Sequence, residues 1–283
     1  MQKKVVIACD STTDLNAELI AEYDVRILPL GVTLGTAQYL DGVDIDPDMI
    51  YQHYEVYKEL PKTSSPSIAA FEEFFATCTA DGAETVFFTI SAQMSSTYQH
   101  ARLVAADFPR VHVVDTRNLS TGGGLLVVAA GEMAAAGKSA AEIAAACSAL
   151  TACVDASFIV DDLEFLHKGG RCSAVAAFGA NLLQLKPCIS VREGKMGVGK
   201  KYRGKFGSVL EKYIADRLAC AEQIDTARVF VTHAGCDEAI VARCVARVQE
   251  LLPFREVHVT RAGCTISSHC GRNTLGVLFL RKP

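Results

Sequence analysis

The stretch ETVFFTISAQMSSTYQHARLVA, Glu84–Ala105, decides the fold. It opens with Thr85-Val-Phe-Phe-Thr-Ile90, a run of strand formers apolar enough to be buried on both faces, as in a parallel sheet. The run stops in Ser91-Ala-Gln-Met-Ser-Ser96, and the pattern predicts a helix from about Thr97, with Ser95 or Ser96 placed to cap it. Hydroxyls and unpaired backbone N–H groups therefore gather at the C-terminal end of a buried strand. In open α/β sheets ligands bind there, and a helix N-terminus favours an anion. Capping alone would also account for the serines.

Working outward, Lys3–Cys9 reads as a strand that breaks at Asp10-Ser-Thr-Thr-Asp14. A helix, Leu15–Tyr23, follows with Thr13 as its cap. Val25–Val32 reads as a second strand, Gly35–Asp48 as a polar loop, and Pro47 as the start of a helix to about Lys58. Pro61-Lys-Thr-Ser-Ser-Pro-Ser67 is a second hydroxyl-rich helix start, with Ser65 as cap and Pro66 in the first turn. Thr63 and Ser64 lie just outside it, either facing a ligand or merely decorating the cap. Downstream come a strand (Val111–Val114), an alanine-rich helix ending at Gly137, and a capping box, Ser139–Glu142, opening a helix to about Leu150. Alternation of strand and helix predicts a doubly wound, mostly parallel sheet.

A second, smaller α/β unit begins at Ser157–Val160, so the expected domains are 1–155 and 156–283. Within it, Ser173–Lys186 reads as a helix apolar nearly all round, with Phe178, Leu182 and Leu183 as candidates to line an apolar cavity or to be plain core. A hairpin is expected about Glu193-Gly-Lys195. Helices Ser208–Ala221 and Cys236–Leu251 and strands Ala227–Thr232, Glu256–Thr260 and Leu275–Leu280 complete the chain, with His269 in a loop.

Composition narrows the function. The formal charge is −4 over 283 residues, with no basic excess to suggest nucleic acid. The N-terminal apolar run is too short for a signal peptide, and no window reaches the ~18 apolar residues of a spanning helix. A cytoplasmic protein with no integral membrane segment is expected. The 11 cysteines are scattered without a C-x-x-C, which suits reduced thiols. Cys264, His269 and Cys270 cluster locally but lack a second pair, so no metal is expected. Gly131 to Gly137-Lys-Ser139 has five residues between its glycines where a Walker A loop has four, and Gly204-Lys205 is followed by Phe206. G-x-G-x-x-G, G-x-S-x-G and H-E-x-x-H are absent. The basic run Lys200, Lys201, Arg203, Lys205 is a solvated face or a docking patch. His269 could donate to an anion, act as a base, or be structural.

Several pieces together resemble the DegV family: Asp10-Ser-Thr-Thr-Asp-Leu15, Thr63-Ser-Ser-Pro-Ser67, Ser95-Ser-Thr-Tyr-Gln99, Val114-Asp-Thr116, Leu166-His-Lys-Gly-Gly-Arg171, and Gly263 through His269-Cys-Gly271. They run in order over nearly the whole chain. The resemblance implies a lipid-binding protein of two α/β domains with a long-chain fatty acid between them, no cofactor and no catalysis of its own. It implies that Thr63 and Ser95 hold the carboxylate, with Ser64, Ser96 and His269 close by. Arg171 would serve at the rim or in partner docking; Lys200, Lys201 and Arg203 are candidates for the same role from their basic run, apart from the resemblance. The implied partner is a separate ATP-dependent kinase subunit that makes the acyl-phosphate for phospholipid synthesis. Ser65 and Ser96 depart from the usual Gln and Gly, and Gly271-Arg-Asn departs from Gly-Pro-Gly, which would put the Arg272 charge near the head group. The alternative is a serine-type esterase or thioesterase using Ser95 or Ser96 with His269, which requires the two within about 3 Å.

Overall fold

The computed structural model describes residues 4–172 and 185–282. The chain opens with β1 (Val5–Asp10), passes through a single 3-10 turn, and forms α1 (Ala17–Glu22) and β2 (Arg26–Leu28). Asn16, not Thr13, caps α1, its side chain accepting from the Leu19 N–H. The strand expected over Val25–Val32 is two strands. Pro29 has no N–H to give a ladder, so β2 ends before it in one sheet and β3 (Gly31–Leu34) begins another. β4 (Ala37–Leu40) lies inside the expected polar loop, a largely exposed edge strand of four residues, too short to show a period. After α2 (Pro47–Tyr57), the short strand β5 (Lys62–Ser64) pairs with the other side of β3. Ser67, not Ser65, caps α3 (Ile68–Cys78), accepting from the Ala70 N–H.

The quoted stretch becomes β6 (Glu84–Thr89) and α4 (Thr97–Ala105), followed by β7 (Val111–Asp115), α5 (Thr121–Ala135) and α6 (Ala140–Leu150). The sheet is parallel throughout, in the order β2-β1-β6-β7, and the order in which strands are added reverses between β1 and β6. Helices cover both faces. Phe87 turns toward α3, where its ring meets the edges of Phe71 and Phe75 at 5.8 and 5.3 Å between centroids. Phe88 turns the other way, into a cluster with Leu126 of α5 and Ile143 of α6. Burial on both sides is why β6 reads as an unbroken apolar run. The capping box at Ser139 and Glu142 is present.

The remainder runs β8 (Val154–Val160), α7 (Glu164–Lys168), β9 (Leu185–Arg192), β10 (Lys195–Arg203), α8 (Phe206–Arg217), β11 (Ile224–Ala234), α9 (Glu238–Leu251), β12 (Glu256–Arg261), α10 (Cys264–Cys270) and β13 (Thr274–Arg281). These strands make a six-stranded mixed sheet, β10-β9-β8-β13-β11-β12, in which β11 and β12 pair in parallel. The architecture is thus α/β, a parallel sheet joined to a further, mixed one. Leu185 and Lys186, expected at a helix end, open β9, and the rest of that expected helix, with Phe178, Leu182 and Leu183, lies outside the described residues. Glu193 and Gly194 both take positive φ (50° and 81°), the turn that matches a twisted hairpin. His269 sits on α10, not in a loop.

α5 joins the sheets. Leu126 and Val127 pack with Ile7 and Cys9 of the parallel sheet, while Leu125 and Val128 pack with Phe158 and Phe230 of the mixed sheet. Its N-terminal turn approaches the 3-10 turn after β1 so closely that a Cβ on Gly124 would stand 2.9 Å from the Thr13 carbonyl oxygen. Among the described residues no helix is long and apolar enough to cross a membrane.

Candidate functional site

A cavity of about 310 Å³ lies beyond the C-terminal end of β6. Four hydroxyl-bearing elements reach it: β5 with Thr63 and Ser64, the following loop with Ser65, the β6–α4 loop with Ser95 and Ser96, and α10 with Thr265. His269 of α10 closes the same end. The walls are apolar, formed by Leu30, Ile90, Met94, Leu119, Met196 and Ile266. A small void of about 30 Å³ shares Leu119, Ile266 and Cys270 as walls and reaches Phe158 and Leu278 in the mixed sheet.

Thr63 and His269, 206 residues apart in sequence, meet with Thr63 Oγ1 2.8 Å from His269 Nε2. Burial, and then the nearby charge of Arg171, push the imidazole down to about 4, so it is neutral at physiological pH. Its Nδ1 is buried with no hydrogen-bond partner among the described residues. The ring lies hard against Gly169, where a Cβ would stand 2.7 Å from Nδ1. Arg171 also lines the cavity, exposed, its guanidinium donating to the Gly169 carbonyl at 2.9 Å.

Ser95 bonds the first turn of α4 and also lines the cavity. Its Oγ accepts from the Thr97 N–H in the first turn of α4 and lies 2.8 Å from Thr97 Oγ1. Ser96 occupies the N-cap position without making a side-chain cap bond. His100 was not expected here. It lines the cavity one turn into α4, with Nδ1 3.1 Å from Ser65 Oγ. Its spacing after Ser96 and Thr97 was the available signal. Met196 and Leu119 had none, because they arrive from elements distant in sequence. His269 faces neither Ser95 nor Ser96 with a hydrogen bond, so the nucleophile–base pair of the esterase alternative is not formed among the described residues.

Beneath the cavity, α10 is held by its first backbone donors. Asp41 accepts from the Cys264 N–H at 2.7 Å and the Thr265 N–H at 3.0 Å, and Asp14 accepts from the Gly263 N–H at 2.8 Å. Carboxylates at a helix N-terminus satisfy donors that have no partner within the helix. Ser11 donates to Asp41, Ser120 donates to Asp14, and Asp10 takes the Thr12 and Ile90 N–H groups. Burial raises the Asp14 carboxyl to about 8 and Asp10 to about 6, against hydrogen bonds that lower both.

Comparison with known proteins places this arrangement. The model of a family described as "Uncharacterised protein, DegV family" matches residues 4–282. The chain belongs to the DegV family. A DegV domain-containing protein of Deinococcus radiodurans is 33% identical over 282 residues, covering 96% of this chain and 97% of the relative. Among solved structures, a DegV family protein of Thermus thermophilus, described by its fatty acid binding, superposes with a TM-score of 0.90 at 33% identity over 99% of this chain and 100% of the other. A stearic acid-binding protein of Eubacterium ventriosum superposes at 0.84 with 29% identity, over 99% and 98%.

The DegV motifs divide by location. Asp10–Asp14 does not line the cavity; it serves the α10 junction. Arg272 also lies outside the lining, over the Tyr51 ring (4.8 Å) and 3.4 Å from Glu55, so its charge is directed away from the hydroxyl end. Lys200, Lys201 and Arg203 lie on β10 outside the cavity lining, and Lys200 pairs with Asp216 at 2.6 Å. Cys264 donates to the Ile45 carbonyl while His269 faces Thr63, so the local Cys/His cluster does not converge. Among the described residues no group of His, Cys, Asp and Glu could hold a metal ion.

Proposed function

We propose that this protein binds a long-chain fatty acid, its carboxylate held by Thr63 and Ser95 and its tail along the apolar walls, and presents it to a separate ATP-dependent kinase subunit. The cavity carries the reading: hydroxyls gathered at one end, apolar side chains over the rest. Relatives whose solved structures are described as fatty-acid-binding support it. Each buried CH₂ of a tail contributes about 0.8 kcal/mol, so the walls supply most of the affinity. The units 1–155 and 156–283 would act as the two sides of the site.

The hydroxyl end suits a carboxylate that must remain reactive. A Lys or Arg clamp would hold the oxygens tightly; hydroxyls donate single hydrogen bonds. Neutral His269 helps in one specific way. With the proton on Nε2, it donates to Thr63 Oγ1, which leaves the Thr63 proton for the ligand. This tautomer also places a lone pair, not an orphan N–H, at buried Nδ1, the less costly of the two. Exposed Ser64, Ser96 and Arg171 leave the head-group end accessible to a partner.

Native mass spectrometry of the purified protein, followed by organic extraction, tests the reading. One fatty acid per chain, lost on extraction, is expected, and acyl-phosphate formation with a candidate kinase subunit then tests presentation. A lipid-free protein that refuses added stearate would overturn the binding function.

A further inference from the structure

A second cleft, of about 630 Å³, lies where the loop after β7, the start of β8, the end of β9 and the C-termini of α8 and β13 meet. It shares no lining residue with the hydroxyl cavity. The tip of the β9–β10 hairpin touches the loop after β6, with the Gly194 carbonyl accepting from Ser91 Oγ at 2.7 Å. Four arginines from four different elements line the cleft: Arg117, Arg192, Arg217 and Arg281. The acidic residues against them are Asp155 and Glu193.

The charges do not balance. Asp155, largely buried, is shared by two guanidinium groups. Arg281 Nε donates to Oδ2 at 2.6 Å, and Arg217 contacts Oδ1. One carboxylate thus serves two cations. Arg217 Nε is buried with no acceptor among the described residues, and burial together with Arg281 pushes the Arg217 guanidinium down to about 10. Arg117 and Arg192 are exposed at the mouth, and neither forms an ion pair among the described residues. The hydroxyls of Thr151 and Ser190 add polar groups to the wall.

We propose that this cleft is a binding site for a compact anion bearing at least two negative charges, a phosphate ester or diphosphate. Planar guanidinium forks match phosphate oxygens two at a time. The volume is that of a small-molecule pocket, and the polar lining does not suit an acyl chain. Four arginines against Asp155 and Glu193 leave an excess of two positive charges, which a multiply charged ligand would neutralise.

Isothermal titration of the full chain with pyrophosphate, glycerol phosphate and orthophosphate tests the site. Saturable one-to-one binding of pyrophosphate or glycerol phosphate is expected, and which of the two binds more tightly distinguishes a diphosphate from a monoester. Because Arg217→Gln would strand buried Asp155, the working variant is Arg117→Gln with Arg192→Gln, both exposed. It should weaken binding about tenfold and leave fatty-acid uptake unchanged. The control pair Arg203→Gln with Lys212→Gln, exposed on β10 and α8 outside the cleft lining, should bind like wild type. The proposal fails if no anion binds at roughly millimolar concentration, or if the control pair loses as much affinity as the mouth pair. It also fails if a hexaglutamate peptide binds where pyrophosphate does not, which would reassign the cleft to an acidic protein partner.

Discussion

The loop after β1 and the loop after β6 end neighbouring parallel strands at the switch point of one sheet, and both are crowded with hydroxyls. They are used differently. In the first, Asp10, Asp14 and Ser11 spend their oxygens on Thr12, Ile90, Ser120, Gly263 and Leu30. In the second, Ser95 bonds its neighbour Thr97 and remains on the cavity wall. The carboxylates account for the difference. A buried carboxyl brings two oxygens that gather several backbone and hydroxyl donors at once; a hydroxyl can satisfy one bond locally and offer its proton elsewhere. A strand tip carrying Asp becomes a junction, and one carrying only Ser and Thr can face a ligand.

The strongest way to break this comparison is Asp41→Ala, which strips the acceptor from Cys264 N–H, Thr265 N–H and the Ser11 hydroxyl at once. A loss of about 4 kcal/mol is expected in chemical denaturation; a loss below about 1 kcal/mol would mean the junction is not structural. On the ligand side, Thr63→Ala and Ser95→Ala should each weaken stearate binding by about 1–3 kcal/mol. Thr63 lies at the upper end because His269 Nε2 also loses its partner, and Thr63→Ser should restore affinity. Wild-type binding by both alanine variants would disprove the assignment of the head-group end. Gly169→Ala drives a Cβ against His269 Nδ1 and should cost about 1–3 kcal/mol of stability. Placing it in a His269→Ala background, where the obstructing ring is gone, should recover part of that loss.

The junction also carries a pH signature. Asp14 rises to about 8 from its ordinary 3.8, so above 3.8 the unfolded chain releases a proton that the folded chain keeps. That contribution to stability is therefore lost as pH rises toward 8. His269, lowered to about 4 from 6.5, acts in the opposite sense, but only below 6.5. Between pH 6.5 and 8 the wild-type melting temperature should fall by a few degrees, while that of Asp14→Asn, which has no proton to lose, should stay level. Parallel slopes would refute the assignment. The smallest effect is expected for Arg272→Ala: less than about 1 kcal/mol on stability and no change in stearate affinity, since Arg272 lies against Tyr51 and Glu55.

Much of the fold was legible because its signals are local. The double burial of β6 shows in Val86-Phe-Phe88, the capping box in Ser139 and Glu142, and the hairpin turn in Glu193-Gly194. Failures came where a tertiary partner supplied the missing half. β4 is four residues of a largely exposed edge, and only β3 beside it gives it a partner. α10 is seven residues long and would not stand alone; Asp14 and Asp41 supply the acceptors for its first turn.

The sequence by itself determined a doubly wound parallel sheet, the hydroxyl-rich loops at its strand ends, and, through motifs shared with the DegV family, the residues to inspect. Only the tertiary structure decided which hydroxyls face a cavity, that His269 meets Thr63, that Arg272 is directed away, and that four arginines converge on a separate cleft. Periodicity and caps are written within a few residues of one another. A hydrogen bond across 206 positions, or a charge balance among four elements, exists only once the chain has closed on itself.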